Sequence, residues 1–94
     1  MPRRDKKYHY LYKTTDLRNS NFYIGIHSTD DLNDGYLGSG TRLRRAVRRA
    51  GEDSFRKDIL EFLPSREALL VREAEVLTED LVADPRCMNL MSGG

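Results

Sequence analysis

The chain has 94 residues and a mass of 10.9 kDa, enough for one small domain, which excludes a two-domain enzyme with a closed cleft, a barrel or a doubly wound sheet. Hydrophobic residues make up 38% and charged residues 33%, a polar balance, yet apolar clusters recur along the chain and exclude a disordered segment. The net charge of +1 conceals a division, since residues 1–50 carry 11 Lys/Arg and 5 Asp/Glu whereas residues 51–94 carry 5 and 10.

Residues 1–7 are charged and no apolar stretch follows them, so they read as a basic, flexible N-terminus before a single domain, 8–94. Tyr8 to Lys13 alternates with period two, Tyr8, Tyr10 and Tyr12 on one side and His9, Leu11 and Lys13 on the other, as in a strand. Turn chemistry fills 14–21. A second strand is expected over Phe22–His27, with Phe22, Ile24 and Ile26 on one face and Tyr23, Gly25 and His27 on the other, so the two runs form a hairpin. Residues 28–40 form a loop longer than ordinary connections, which favours a functional role. Thr41–Ala50 is predicted helical, with Leu43, Ala46, Val47 and Ala50 on one face, Thr41 as N-cap and Gly51 just past the end. A third strand is expected over 54–63. A longer helix follows from about 66 to 81, capped by Ser65, with Leu69, Leu70, Val71, Val76, Leu77 and Leu81 as its apolar stripe. The fold class is therefore α+β.

Several chemistries are excluded at once. The single cysteine, Cys87, rules out an internal disulfide and a multi-cysteine zinc site, and fits a reducing, cytoplasmic setting. No apolar run approaches the roughly 20 residues of a membrane span, so no membrane partner is expected. The loop beginning Asp30-Asp31-Leu32 lacks calcium-ligand spacing, and Gly35-Tyr36-Leu37-Gly38-Ser39-Gly40 lacks the lysine of a phosphate loop. Its glycines and the following helix start can still offer backbone N–H groups to a phosphate. Five arginines, Arg42, Arg44, Arg45, Arg48 and Arg49, crowd one ten-residue helix. Their mutual repulsion is relieved by solvent or by an anionic partner, and guanidinium forks suit phosphate oxygens. Tyr23 and His27 share a face beside Gly25, a signal for a polar site. Glu73 borders the apolar stripe of its helix and could hold a divalent metal, whereas Glu75 projects away from it.

Taken in order, Tyr10-Leu11-Tyr12, Tyr23-Ile24-Gly25, a helical glutamate and Asn89 resemble the GIY-YIG nuclease superfamily; Tyr12 and Tyr23 stand 11 residues apart, a spacing typical of its two motifs. The stretch FYIGIHST, then GYLGSGTRLRRAVRRAGEDSFRKDIL, and the ending Met88-Asn89-Leu90 with Gly93-Gly94 resemble its phage and homing-endonuclease-like branch. The resemblance implies a three-stranded antiparallel sheet flanked by helices and metal-dependent cleavage of DNA. It implies Tyr12 as general base, Tyr23 near the water or scissile phosphate, Glu73 as ligand of Mg²⁺ or Mn²⁺, and Asn89 shaping the site. The family's catalytic arginine usually follows the second motif closely. Residues 26–40 contain none, so Arg42 or Arg45, or His27 with Tyr36, is expected to stand in. Arg44, Arg48 and Arg49, with Tyr36, Ser39 and Gly40 of the loop, are assigned to the DNA surface. Two rival functions share these features: a non-catalytic DNA-binding or regulatory protein on the same scaffold, and an adaptor that sets the arginine helix against an acidic protein. Target specificity is expected from the loop 28–40, a homodimer or a separate partner.

Overall fold

The computed structural model describes residues 6–90. Residues 1–5 of the basic N-terminus and the Gly93-Gly94 ending therefore lie outside the described residues. Three strands, β1 (Tyr8–Asp16), β2 (Phe22–Thr29) and β3 (Phe55–Leu63), form an antiparallel sheet in the order β2-β1-β3. Helices α1 (Thr41–Ala50), α2 (Arg66–Val76) and the one-turn α3 (Glu79–Val82) flank it.

β1 is the central strand and is buried on both faces. Its alternation therefore separates two buried environments rather than core from solvent. Leu11 packs with Phe22, Ile24, Leu69, Leu77 and Cys87 beneath α2. Tyr10 and Tyr12 are equally buried on the opposite face. Pairing with two neighbours also carries β1 through Thr14 and Thr15 to Asp16, three residues beyond the expected end at Lys13. A second cluster, Leu43, Phe55 and Met88, seats α1.

α1 begins one residue earlier than a Thr41 cap would require. Gly40 is the N-cap and makes no side-chain hydrogen bond, so Thr41 is already helical. At the other end Gly51 has φ 87° and its N–H donates to the Val47 carbonyl, as expected of a terminating glycine. A 3₁₀ turn over 52–54 then leads into β3.

The expected long helix is two helices. Ser65 caps α2, its hydroxyl accepting from the Ala68 N–H at 3.1 Å. At Leu77 the backbone leaves the helical region (φ −82°, ψ 69°), and Thr78 caps α3 by accepting from Leu81 N–H at 3.2 Å. A threonine followed by Glu79 and Asp80 is a helix start, and it overrides the apolar periodicity that runs through it. The stripe is correspondingly narrower than expected, with Leu69 and Leu77 buried but Leu70 and Val71 mostly exposed.

The segment 86–89 extends the sheet beside β2. Phe22 N–H donates to the Arg86 carbonyl at 2.8 Å and Met88 N–H to the Phe22 carbonyl at 2.7 Å. Asn89 continues the ladder with its side chain: Oδ1 accepts from Ile24 N–H at 2.9 Å and Nδ2 donates to the Ile24 carbonyl at 2.8 Å. A primary amide thus substitutes for a peptide group on an edge that would otherwise leave N–H and C=O unpaired. Among the described residues no helix is long and apolar enough to cross a membrane.

Candidate functional site

A cleft of about 650 Å³ runs along β2, with the 30–40 loop and α2 as its other walls. Each wall follows from local sequence. From β2, Tyr23 and His27 enter from one face of the sheet and Ile26 and Ser28 from the other, because the cleft wraps the strand's edge. From α2 come Arg66, Leu70 and Glu73, spaced i, i+4, i+7 and so on one side of the helix. From the loop come Tyr36 and Ser39.

His27 is the best-positioned proton acceptor. Its Nε2 lies 2.7 Å from Asp34 Oδ2, and its ring stacks on Tyr36 at 3.7 Å with 7° between planes. Tyr36 in turn sits edge-on to Tyr12 at 5.8 Å. Partial burial works to raise the Asp34 carboxyl, but the His27 hydrogen bond, the Tyr36 N–H and the Thr29 hydroxyl outweigh it and hold the pKa at about 2. Asp34 is therefore ionised at neutral pH and fixes the imidazole's orientation. The loop that supplies it is ordered by further local bonds. Asp34 Oδ1 accepts from Tyr36 N–H at 3.1 Å, Asp31 Oδ1 from Asn33 N–H at 2.9 Å, and Thr14 Oγ1 donates to the Leu37 carbonyl at 2.5 Å.

Two glycines let the aromatic rings reach their places. A Cβ on Gly25 would collide with the Tyr12 hydroxyl and stand 2.7 Å from Tyr12 Cζ; one on Gly40 would collide with the Tyr23 ring. Gly40 therefore serves as a seat for Tyr23, and its own carbonyl is taken by the Arg44 N–H at 2.9 Å.

Tyr12 does not line this cleft. It is 1% exposed, behind Gly25 and Tyr36, and burial followed by the neighbouring phenols of Tyr36 and Tyr23 pushes its pKa far above the ordinary value of 10. A phenol so placed is a weaker acid than a free one. Tyr23, which does line the cleft, is also raised: burial dominates, the Ser39 hydrogen bond opposes it, and the Tyr36 phenol and Glu73 carboxylate add to it. Tyr23 and Glu73 thus line the same cleft from β2 and α2.

The arginines of α1 are placed elsewhere. Arg42 Nη1 donates to the Cys87 carbonyl at 3.2 Å and so ties α1 to the segment beside β2. Arg45 lines shallow surface grooves with Arg44, Arg48 and Arg49, outside the cleft. Neither Arg42 nor Arg45 reaches Tyr23, His27 and Glu73 as expected, because the single buried contact of the helix, Leu43, sets its rotation. Asn89 is likewise a structural group: both ends of its amide are held by Ile24, and it shapes the site by pinning the strand between Tyr23 and Gly25.

Glu73 and Glu75 separate as the helix geometry requires. Glu73 lines the cleft, while Glu75 points outward and meets Arg72 at 3.8 Å. Among the described residues no group of three or more His, Cys, Asp or Glu is arranged to hold a metal. The lining of the cleft carries one carboxylate, that of Glu73.

Sequence reasoning passed over Asp34, Arg66, Ser28, His9 and Lys57 as functional candidates. Arg66 Nη1 donates to Ser28 Oγ at 3.1 Å, and Ser28 Oγ lies 2.8 Å from His9 Nδ1. Lys57 Nζ donates to the Tyr10 hydroxyl at 2.7 Å and lies over the Tyr10 ring. The signal for Arg66 was legible, since it stands seven residues before Glu73 on the same helix face.

Comparison with known proteins adds a separate line. Endonuclease segA of Enterobacteria phage T4 is 46% identical over 91 residues, covering 97% of this chain and 41% of its own length. Two further phage T4 proteins, segE and segC, have names that propose endonuclease activity. They are 48% identical over 88 residues and 40% identical over 94 residues, with 42% and 48% of their own lengths covered. The chain thus spans less than half the length of these curated relatives. No family model matches the chain, and no solved structure does.

Proposed function

We propose that this domain is a metal-dependent DNA endonuclease of the GIY-YIG type, which hydrolyses phosphodiester bonds in the cleft along β2. The observation that carries this reading is the convergence of Tyr23, His27 and Glu73 on one cleft from a strand and a helix 50 residues apart in sequence. The phage relatives named as endonucleases, similar over nearly the whole chain, support it.

In this reading Glu73 holds Mg²⁺ or Mn²⁺. The bound metal supplies neutralisation of charge on the phosphate oxygens and the leaving group. His27 accepts the proton of the attacking water, and Asp34, ionised and 2.7 Å from Nε2, stabilises the imidazolium that results. The Tyr23 hydroxyl, kept protonated by burial, donates to a phosphate oxygen. Tyr12 supports Tyr36 and hence the stacked His27 instead of acting as the base.

The test is cleavage of supercoiled plasmid with and without Mg²⁺. Glu73→Gln is expected to abolish cleavage while the fold and DNA binding survive, and Glu75→Gln to leave cleavage within a few-fold of the parent. His27→Ala is expected to lower the rate by about 10²-fold or more. Binding of DNA that a chelator leaves unchanged, with no cleavage in Mg²⁺ or Mn²⁺, would mark a DNA-binding protein on this scaffold and overturn the nuclease reading.

A further inference from the structure

The cleft has a second polar end. Ser28 is five residues from Tyr23 along an extended strand, about 16 Å. Arg66 is seven residues from Glu73 along α2, about 10 Å of helix rise. Tyr23 and Glu73 therefore mark one end, and Arg66 with Ser28 the other. At this second end Ser28 Oγ accepts from Arg66 Nη1 at 3.1 Å and lies 2.8 Å from Nδ1 of the buried His9. Among the described residues the Arg66 guanidinium is held by a neutral hydroxyl and not by a carboxylate. Lys6 lines the same cleft, with its ammonium 3.9 Å from Asp30 Oδ2.

A guanidinium held in place by a hydroxyl, with donors left over, is a seat for a tetrahedral anion. On the reading of the cleft as a phosphodiesterase site, we propose that Arg66, Ser28 and His9 form a subsite for a second backbone phosphate, flanking the one that Glu73 and Tyr23 address. The separation decides against a role at the reacting phosphate. One phosphate cannot meet Glu73 and an Arg66 head group anchored on Ser28, because the two ends lie about 10 Å apart along α2 and about 16 Å along β2, roughly three to five nucleotide rises at 3.4 Å each. Arg66 is accordingly a positioning residue: it fixes the register of the strand in the cleft and supplies the cation that the α1 arginines do not bring there.

The experiment measures binding of a short DNA duplex by the full chain carrying Glu73→Gln, which blocks cleavage, with and without Arg66→Ala, over a series of salt concentrations. Arg66→Ala is expected to weaken binding about ten- to hundredfold and to lower the log–log salt slope by about 0.9, the loss of one phosphate contact. Ser28→Ala, which frees the guanidinium, is expected to weaken binding in the same direction by less. In the cleavage-competent chain Arg66→Ala should raise KM and leave kcat within a few-fold, and Arg66→Lys should restore the salt slope but not the whole affinity. Unchanged affinity and slope, or a collapse of kcat at constant KM, overturns the subsite. Plasmid left uncut by the parent chain in Mg²⁺, with the Arg66→Ala binding defect present, overturns the nuclease reading and leaves the phosphate subsite standing.

Discussion

Buried phenols give the tyrosine face its chemical character. Tyr10 is pushed up to about 12 by burial, then by the Asp34 carboxylate and the Tyr36 phenol, while Tyr12 and Tyr23 are raised as well. An acid whose pKa rises on folding holds its proton longer in the native state. The stability it contributes is complete below pH 10, the unfolded value, and is lost as pH climbs toward and past 12 for Tyr10. Urea unfolding at pH 8, 10 and 11 is therefore expected to show a falling free energy above pH 10. Tyr12→Phe, which removes the proton but keeps the ring, should flatten that fall; an equally steep decline would contradict the assignment to buried phenols. Sharing of one face by Tyr23 and His27 was legible from period two alone. The partner of His27 was not, because Asp34 arrives from a loop whose path is set by Asx turns and by the Thr14–Leu37 bond rather than by any repeating pattern.

Among the elements, α2 organises both core and cleft. One side buries Leu69 completely against Leu11 and Ile24, and an adjacent side presents Arg66, Leu70 and Glu73. Sequence periodicity located this helix and its Ser65 cap, but it assigned Leu70 and Val71 to the core, where the structure leaves them 50% and 62% exposed. Apolar character alone cannot distinguish a core side chain from one lining an open cleft; that depends on which way the capped helix is rotated. Leu69→Ala is expected to cost about 2–5 kcal/mol by leaving a cavity, and Leu70→Ala about 0.5 kcal/mol or less, being a surface change. Chemical denaturation of the two variants checks the order, and a reversal would mean the helix is rotated from the position described. Divergence at the C-terminal end of this helix has the same origin: an apolar stripe predicts one long helix, but a threonine with two acidic followers stops and restarts it.

At the scale of the whole molecule, the charge division seen in the sequence acquires a layout. The cationic helix α1 presents Arg44, Arg45, Arg48 and Arg49 away from the cleft. Exposed guanidinium groups of this kind attract a polyanion over a broad surface without fixing its register. Arg44→Ala with Arg48→Ala is expected to weaken binding to all DNA sequences alike and to reduce the salt slope by about 1.8, two phosphate contacts. An unchanged slope in a salt titration would leave α1 a solvated face. Position along the chain matters as much as charge. The β1–β2 hairpin closes locally, but the Ile24 backbone finds its last partner only in Asn89, 65 residues away. Closing a loop of that length carries an entropic cost that the hairpin escapes. During folding the strand that bears Tyr23 and His27 keeps an open edge at Ile24 until residue 89 docks, and an open edge is a template on which a second chain can form its own ladder. The side-chain amide of Asn89 closes that edge at Ile24 and so withdraws the template there once it docks.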